Sequence, residues 1–248
     1  MLRSAQHDNV SLERTRRMSS ETIALGLVWY VVFLFSLCCH EAAHALAAHL
    51  GGDPTAFHAG QMTLNPVPHI RREPFGTVMV PALSYLAGGW MIGWASAPYN
   101  PAWRRQYPRR AAWMALAGPA ANFALVLVAA IGIRVGLAAG VFSLPASLGF
   151  THVVGAASPA FLPVATLLSI LFSLNLLLGT FNLLPVPPLD GSSAIGLLLP
   201  ASLARRLADF SRSGTLALLG ILAAWYVFDR LFAPVFAGAI GLLYPSTG

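Results

Sequence analysis

Apolar positions dominate the chain in long runs separated by short polar stretches. The first run, residues 23–50, is long enough to cross a membrane as a helix and stops at Gly51-Gly52-Asp53-Pro54. Residues 51–75 are polar and punctuated by Pro and Gly, and the alternation from Phe57 to Leu64 predicts a small β-hairpin. Residues 76–97 are apolar but interrupted by Pro81, Gly88, Gly89 and Gly93. Two further long runs follow, 111–139 and 162–184, joined by a short linker at 140–160. An apolar tail from Leu216 to Tyr244 is broken at Asp229, Arg230 and Pro234. The expected fold class is an all-α multi-pass membrane protein of about 4–6 membrane helices, with a re-entrant segment and a small β-hairpin between the first two core helices. The expected division is a polar N-terminal tail (1–20), a membrane-built core (21–200) and a C-terminal membrane helix region (201–248).

Composition agrees with a membrane setting. The chain has 248 residues, 56% hydrophobic and 10% charged, where soluble domains carry about a quarter charged residues. All fifteen basic residues are Arg, and they sit in short clusters between apolar runs. That placement is topogenic and argues against a nucleic-acid partner despite the net charge of +6. Cys38 and Cys39 are adjacent, so on a helix they diverge and read as packing residues, not a disulfide. No secretory signal peptide is expected, because the first apolar run is too long for one.

The chemistry concentrates in His40-Glu41-Ala42-Ala43-His44, near the end of the first run. On a helix the two histidines are one turn apart on one face and can hold one metal ion. Glu41 is placed to work on a metal-bound water. Catalytic zinc usually takes three protein ligands. After Glu41 the acidic residues are Asp53, Glu73, Asp190, Asp209 and Asp229. Asp53 follows the helix stop too closely to fold back, Asp209 sits among arginines, and Asp229 neighbours Arg230. Asp190 alone ends a membrane helix in a Pro-rich stretch beside a Gly, so it is the expected third ligand. Its rival role is capping a following helix at 192–199. His49, His58, His69 and His152 read as surface or hairpin histidines.

Sharing one ion requires Asp190 and the end of the first helix to lie on one membrane face. With 111–139 and 162–184 as two crossings, 76–97 should not cross. The same face then holds Arg71, Arg72, Arg104, Arg105, Arg109, Arg110, Arg205, Arg206 and Arg212, which the positive-inside rule makes cytoplasmic.

Three ordered motifs resemble the site-2 protease family of intramembrane zinc metalloproteases: His40 to His44, Gly118-Pro119-Ala120-Ala121-Asn122, and Asn182 to Gly191 (NLLPVPPLDG). Thr63 to His69 and Gly93-Trp94-Ala95 look like the compact branch of that family, without a PDZ domain. The chain departs from that branch at Ile70-Arg71-Arg72-Glu73, after His69, and at Ser96. The resemblance implies that His40, His44 and Asp190 bind one Zn2+, that Glu41 is the catalytic acid/base, and that Asn182 and Asn122 hold the substrate backbone or the oxyanion. It implies cleavage of a transmembrane protein or peptide substrate within the lipid bilayer, in a prokaryotic cell (inner) membrane with the active site toward the cytoplasm. The alternative class is a membrane zinc or divalent-metal transporter, which would place a second His or acid cluster on a facing helix.

Overall fold

The computed structural model describes residues 2–200, 202–203 and 214–245; Arg205, Arg206, Asp209 and Arg212 lie outside the described residues. The first element, α1 (Leu2–Leu50), takes in the whole first apolar run. It ends as its sequence dictates. Gly52 turns left-handed at φ 96°, and its N–H and those of Gly51 and Asp53 close on the last carbonyls of the helix. Two short helices follow, α2 (Thr55–His58) and α3 (Pro66–Arg72). A single π turn (Phe75–Met79) runs into α4 (Val80–Gly88), and α5 (Pro101–Gln106) leads to the long α6 (Pro108–Ala138). Next come β1 (Phe142–Ser143), β2 (Gly155–Ala156) and α7 (Leu162–Asn182), then α8 (Gly191–Ala194) and α9 (Gly214–Leu243).

Among the described residues, four helical stretches are long and apolar enough to cross a membrane: Ser20–Leu50, Pro108–Ala138, Pro159–Asn182 and Leu218–Leu243. The shortest has 24 residues, about 36 Å of helix against a hydrocarbon core of about 30 Å. This is an all-α multi-pass membrane fold. The core lies where α1, α6 and α7 meet, around Trp29, Phe33, Ile133, Ile170 and Phe172, all buried. The C-terminal apolar tail is one helix with Pro234 inside it.

The segment at 76–97 goes in and comes back. Its helical part, Phe75–Gly88, has 14 residues, about 21 Å, too short to cross. Gly89 turns left-handed, and the returning chain brings the Trp94 N–H to the Gly76 carbonyl at 3.1 Å. Residues 91–100 then run without helix or strand to the end of α1, where the Asn100 N–H donates to Asp53 Oδ2 at 2.7 Å.

The strands are where the sequence did not put them. The only strand pair among the described residues joins Phe142–Ser143 to Gly155–Ala156, between α6 and α7, in the stretch that reads as a plain linker. The expected hairpin at 57–64 is not formed. Helix starts on both sides of it outweigh an alternation of eight residues. Asp53 accepts from the Thr55 N–H to open α2, and Asn65 accepts from the Val67 N–H to open α3, with Pro66 at its first position.

Candidate metal centre

Two ladders, each of three residues spaced by four, face each other across the α1–α6 contact. On α1 the ladder is Ser36, His40 and His44; on α6 it is Met114, Gly118 and Asn122. Spacing of four keeps each set on one helix face. The His40 Nδ1–H donates to Asn122 Oδ1 at 2.6 Å, and the His44 Nδ1–H donates to the Met114 carbonyl at 2.7 Å. A carbonyl only accepts, so the proton of each imidazole is committed to the outer side and each Nε2 presents a lone pair inward. Gly118 sits between them. A Cβ built on it would overlap both His40 Nε2 and His44 Nε2, so a glycine is what lets the imidazoles face α6 so closely.

The third group arrives from α7 by a tight turn. Residues 183–190 fold back over the end of that helix, and a Cβ on Gly191 would strike the Leu183 and Leu184 carbonyls. Asp190 stands at the start of α8 but makes no side-chain cap there. Its Oδ2 lies 3.1 Å from His40 Nε2 and 3.3 Å from His44 Nε2, and the two Nε2 atoms are 3.0 Å apart. Burial alone would raise the Asp190 carboxyl, but with no metal bound a proton held on the Nε2 of His44 or His40 supplies the charge and the N–H that keep it well below the usual carboxylate range.

His40, His44 and Asp190 are the one group among the described residues whose ligand atoms converge enough to hold a metal ion. Zinc fits them. Bonds of about 2.0–2.1 Å in a tetrahedron put neighbouring ligand atoms about 3.3 Å apart, against the observed edges of 3.0–3.3 Å. Two lone pairs and a carboxylate aimed at one point repel unless a cation lies between them. Glu41 is 5% exposed, adjacent to His40.

The remaining site expectations separate. Asn122 is fully buried; its oxygen serves His40 and its nitrogen donates to Asn175 Oδ1 at 2.8 Å, so the structure gives it to the imidazole and not to an open cleft. Asn175 continues the chain to Ser36 Oγ at 2.8 Å, tying α7 to α1. Asn182 donates to the Leu178 carbonyl of its own helix at 3.1 Å. His49, His58 and His152 are exposed. His69 is not on the surface: it is 1% exposed, and its Nε2–H donates to the Thr63 carbonyl at 2.9 Å. Sequence reasoning missed Ser36, Met114 and Asn175, and it named Gly118 within a motif without giving it a role. The spacing of four at 36, 40 and 44 and at 114, 118 and 122 was the readable signal for most of them.

The profile of peptidase family M50 matches residues 28–224. YwhC of Bacillus subtilis (strain 168), assigned as a zinc metalloprotease, is 34% identical over 79% of this chain and 80% of its own length. Rip2 of Mycolicibacterium smegmatis and Rip2 of Mycobacterium tuberculosis (strain H37Rv), assigned likewise, are each 31% identical over 77% of this chain, which covers 64% and 65% of their lengths. No solved structure matches the chain. The three motifs, the convergent ligand atoms and the matched span agree, and the chain belongs to peptidase family M50, the site-2 protease family of metallopeptidases.

Proposed function

We propose that the chain is a zinc-dependent intramembrane endopeptidase that cuts peptide bonds of membrane-embedded substrates. The observation that carries this reading is the approach of His40 Nε2, His44 Nε2 and Asp190 Oδ2 to within 3.3 Å of one another at the ends of two membrane spans. These three residues would hold the zinc, which when bound polarises the scissile carbonyl and acidifies a water. Asn122 and the Met114 carbonyl keep the imidazole protons turned away, so both lone pairs stay aimed at the ion. Glu41 takes the proton of the attacking water and delivers it to the leaving amine. Asn182 spends one N–H on Leu178 and has a second for the substrate carbonyl.

A helical substrate hides its carbonyls, so it must unwind before it is cut. The extended run at 91–99 suits that step. It is held at Trp94 by the Gly76 carbonyl and past its end by the Asn100–Asp53 bond, and among the described residues the N–H groups of Ala95, Ser96, Ala97 and Tyr99 make no hydrogen bond. Gly93 lies against Phe33 and Asn100 against Asp53, so the run covers the length of α1 that holds both histidines. An unwound segment adding to this edge would gain main-chain hydrogen bonds.

Residues 21–200 would form the catalytic core, with 1–20 as an N-terminal tail and 201–248 as a C-terminal membrane region. Arg71, Arg72, Arg104, Arg105, Arg109 and Arg110 belong to the segments around the site end of α1, which favours a cytoplasmic site in a prokaryotic inner membrane. A carrier would need a second ligand cluster along a path, and the described residues offer one group only. The test is Glu41→Gln with a single-span reporter in proteoliposomes. It should keep one zinc per chain and lose cleavage by about 10²–10⁴-fold; cleavage at the wild-type rate would overturn the assignment.

A further inference from the structure

A cavity of about 490 Å³ opens between α1, the tip of the re-entrant segment, α7 and α9. Its walls are aromatic: Trp29, Trp90, Phe181, Trp225 and Phe228, with Trp90 and Trp225 stacked at 5.8 Å. One carboxylate, Asp229, also lines it. No ion pair or hydrogen bond to Asp229 is recorded among the described residues; Arg230 lies instead over the ring of Tyr226. The cavity therefore sets an unpaired acid, itself exposed, beside a set of π faces, a combination that recognises an organic cation.

Its depth narrows the choice. Trp29 is eleven residues before His40 on α1, about 17 Å of helix. The Pro187 carbonyl, in the turn that delivers Asp190, lies against Gly220 of α9. Asp229 is nine residues further along α9, about 14 Å. Two independent helices thus put the cavity some 14–17 Å from the metal group, along the direction of the spans. An unpaired carboxylate halfway along a membrane helix is costly and marks a site. A lipid headgroup stays at the interface, whereas a chain that crosses the bilayer reaches both the cavity and the metal group.

We propose that this cavity is a recognition site for a basic side chain within the substrate's own membrane segment, with Asp229 pairing the cation and the surrounding aromatic faces holding it. The proposal rests on the peptidase reading and adds a selection rule: a lysine about ten residues from the scissile bond where the substrate stays helical.

The experiment separates the two. Full-length chain carrying Glu41→Gln and a photoreactive residue at Tyr226 is reconstituted with single-span reporters that bear Lys, or Gln, at successive positions. Capture of a Lys reporter should exceed its Gln counterpart at least fivefold over a narrow range of positions. Asp229→Asn should erase the difference, and Asp229→Lys should transfer the preference to reporters bearing Asp at those positions. Equal capture of Lys and Gln reporters, or a preference unchanged by Asp229→Asn, overturns the proposal. Lys-dependent capture with no cleavage by the chain carrying Glu41 would uphold the cavity and remove the peptidase reading instead.

Discussion

Two membrane helices end in turns that carry an aspartate beside a glycine, and the two aspartates do opposite things. After α1, Asp53 is buried and fully engaged. Oδ1 accepts from the Thr55 N–H at 3.1 Å and from the Thr55 hydroxyl, and Oδ2 accepts from the Asn100 N–H at 2.7 Å. After α7, Asp190 takes no side-chain bond from the helix it precedes and meets only the ring nitrogens of His40 and His44. A carboxylate satisfied by main-chain donors is neutralised locally and holds a turn together. One that faces lone pairs needs a cation. The donors around each acid, more than its distance along the chain, decide which of them can serve a metal.

Removing the carboxylate at each turn tests the contrast, and Asp190→Ala should give the largest effect. With one of three ligands lost, zinc affinity should fall by more than about 100-fold, beyond the 10–100-fold that changes behind the ligands cost. Cleavage should fall with it, as measured by metal content after dialysis and by the reporter. Full zinc retention would break the distinction between the two turns.

Acidification separates the partners of Asp190. Its carboxyl is held below the ordinary carboxylate range, so in the metal-free protein its contribution to stability is complete above about pH 4 and is lost only as the pH falls further. Zinc needs both imidazoles deprotonated at Nε2, so protons compete with the ion for the same lone pairs. Zinc should therefore leave on acidification while circular dichroism still reports a folded chain. Retention of zinc below about pH 4.5 would remove the imidazoles from the ligand set.

How much of this was legible depends on the range over which each signal acts. The histidine pair, the helix stop at Gly51-Gly52 and the span lengths are local, and the sequence states them directly. Asp190 was reachable because the membrane segments offer so few acids. The partners behind the imidazoles were harder, because a Met114 carbonyl carries no side-chain signature and Gly118 acts through what it lacks. The hairpin failed for a different reason. Alternation at 57–64 was read alone, while Asp53, Asn65 and Pro66 were already committed to starting helices on either side.

Asn122 gives the next smaller test. Asn122→Ala would leave His40 Nδ1 and the Asn175 side-chain oxygen without partners inside the core, freeing His40 to adopt the wrong tautomer. Metal affinity or activity should drop by about 10–100-fold, and Asn122→Asp should recover part of it by accepting the same proton. A loss of stability with no change in zinc affinity would mean that the α6 ladder supports the fold and not the ion.

The smallest effect belongs to Asp53→Asn, and it is the other half of the contrast. Asparagine keeps the shape but can accept at only one of the two positions, so at least one charge-assisted bond, to Thr55 or to Asn100, is lost. The cost should be about 1.5–3 kcal/mol, or a fall of roughly 3–12 °C in the thermal midpoint for a chain of this size. Zinc content should be unchanged, since none of the lost bonds touches an imidazole. Because Asn100 anchors the extended run at 91–99, its release should raise KM for a membrane reporter while kcat at saturation stays near the wild-type value. A variant that instead sheds zinc would show that the turn after α1 helps to hold the metal, and the two aspartates could no longer be told apart by their donors.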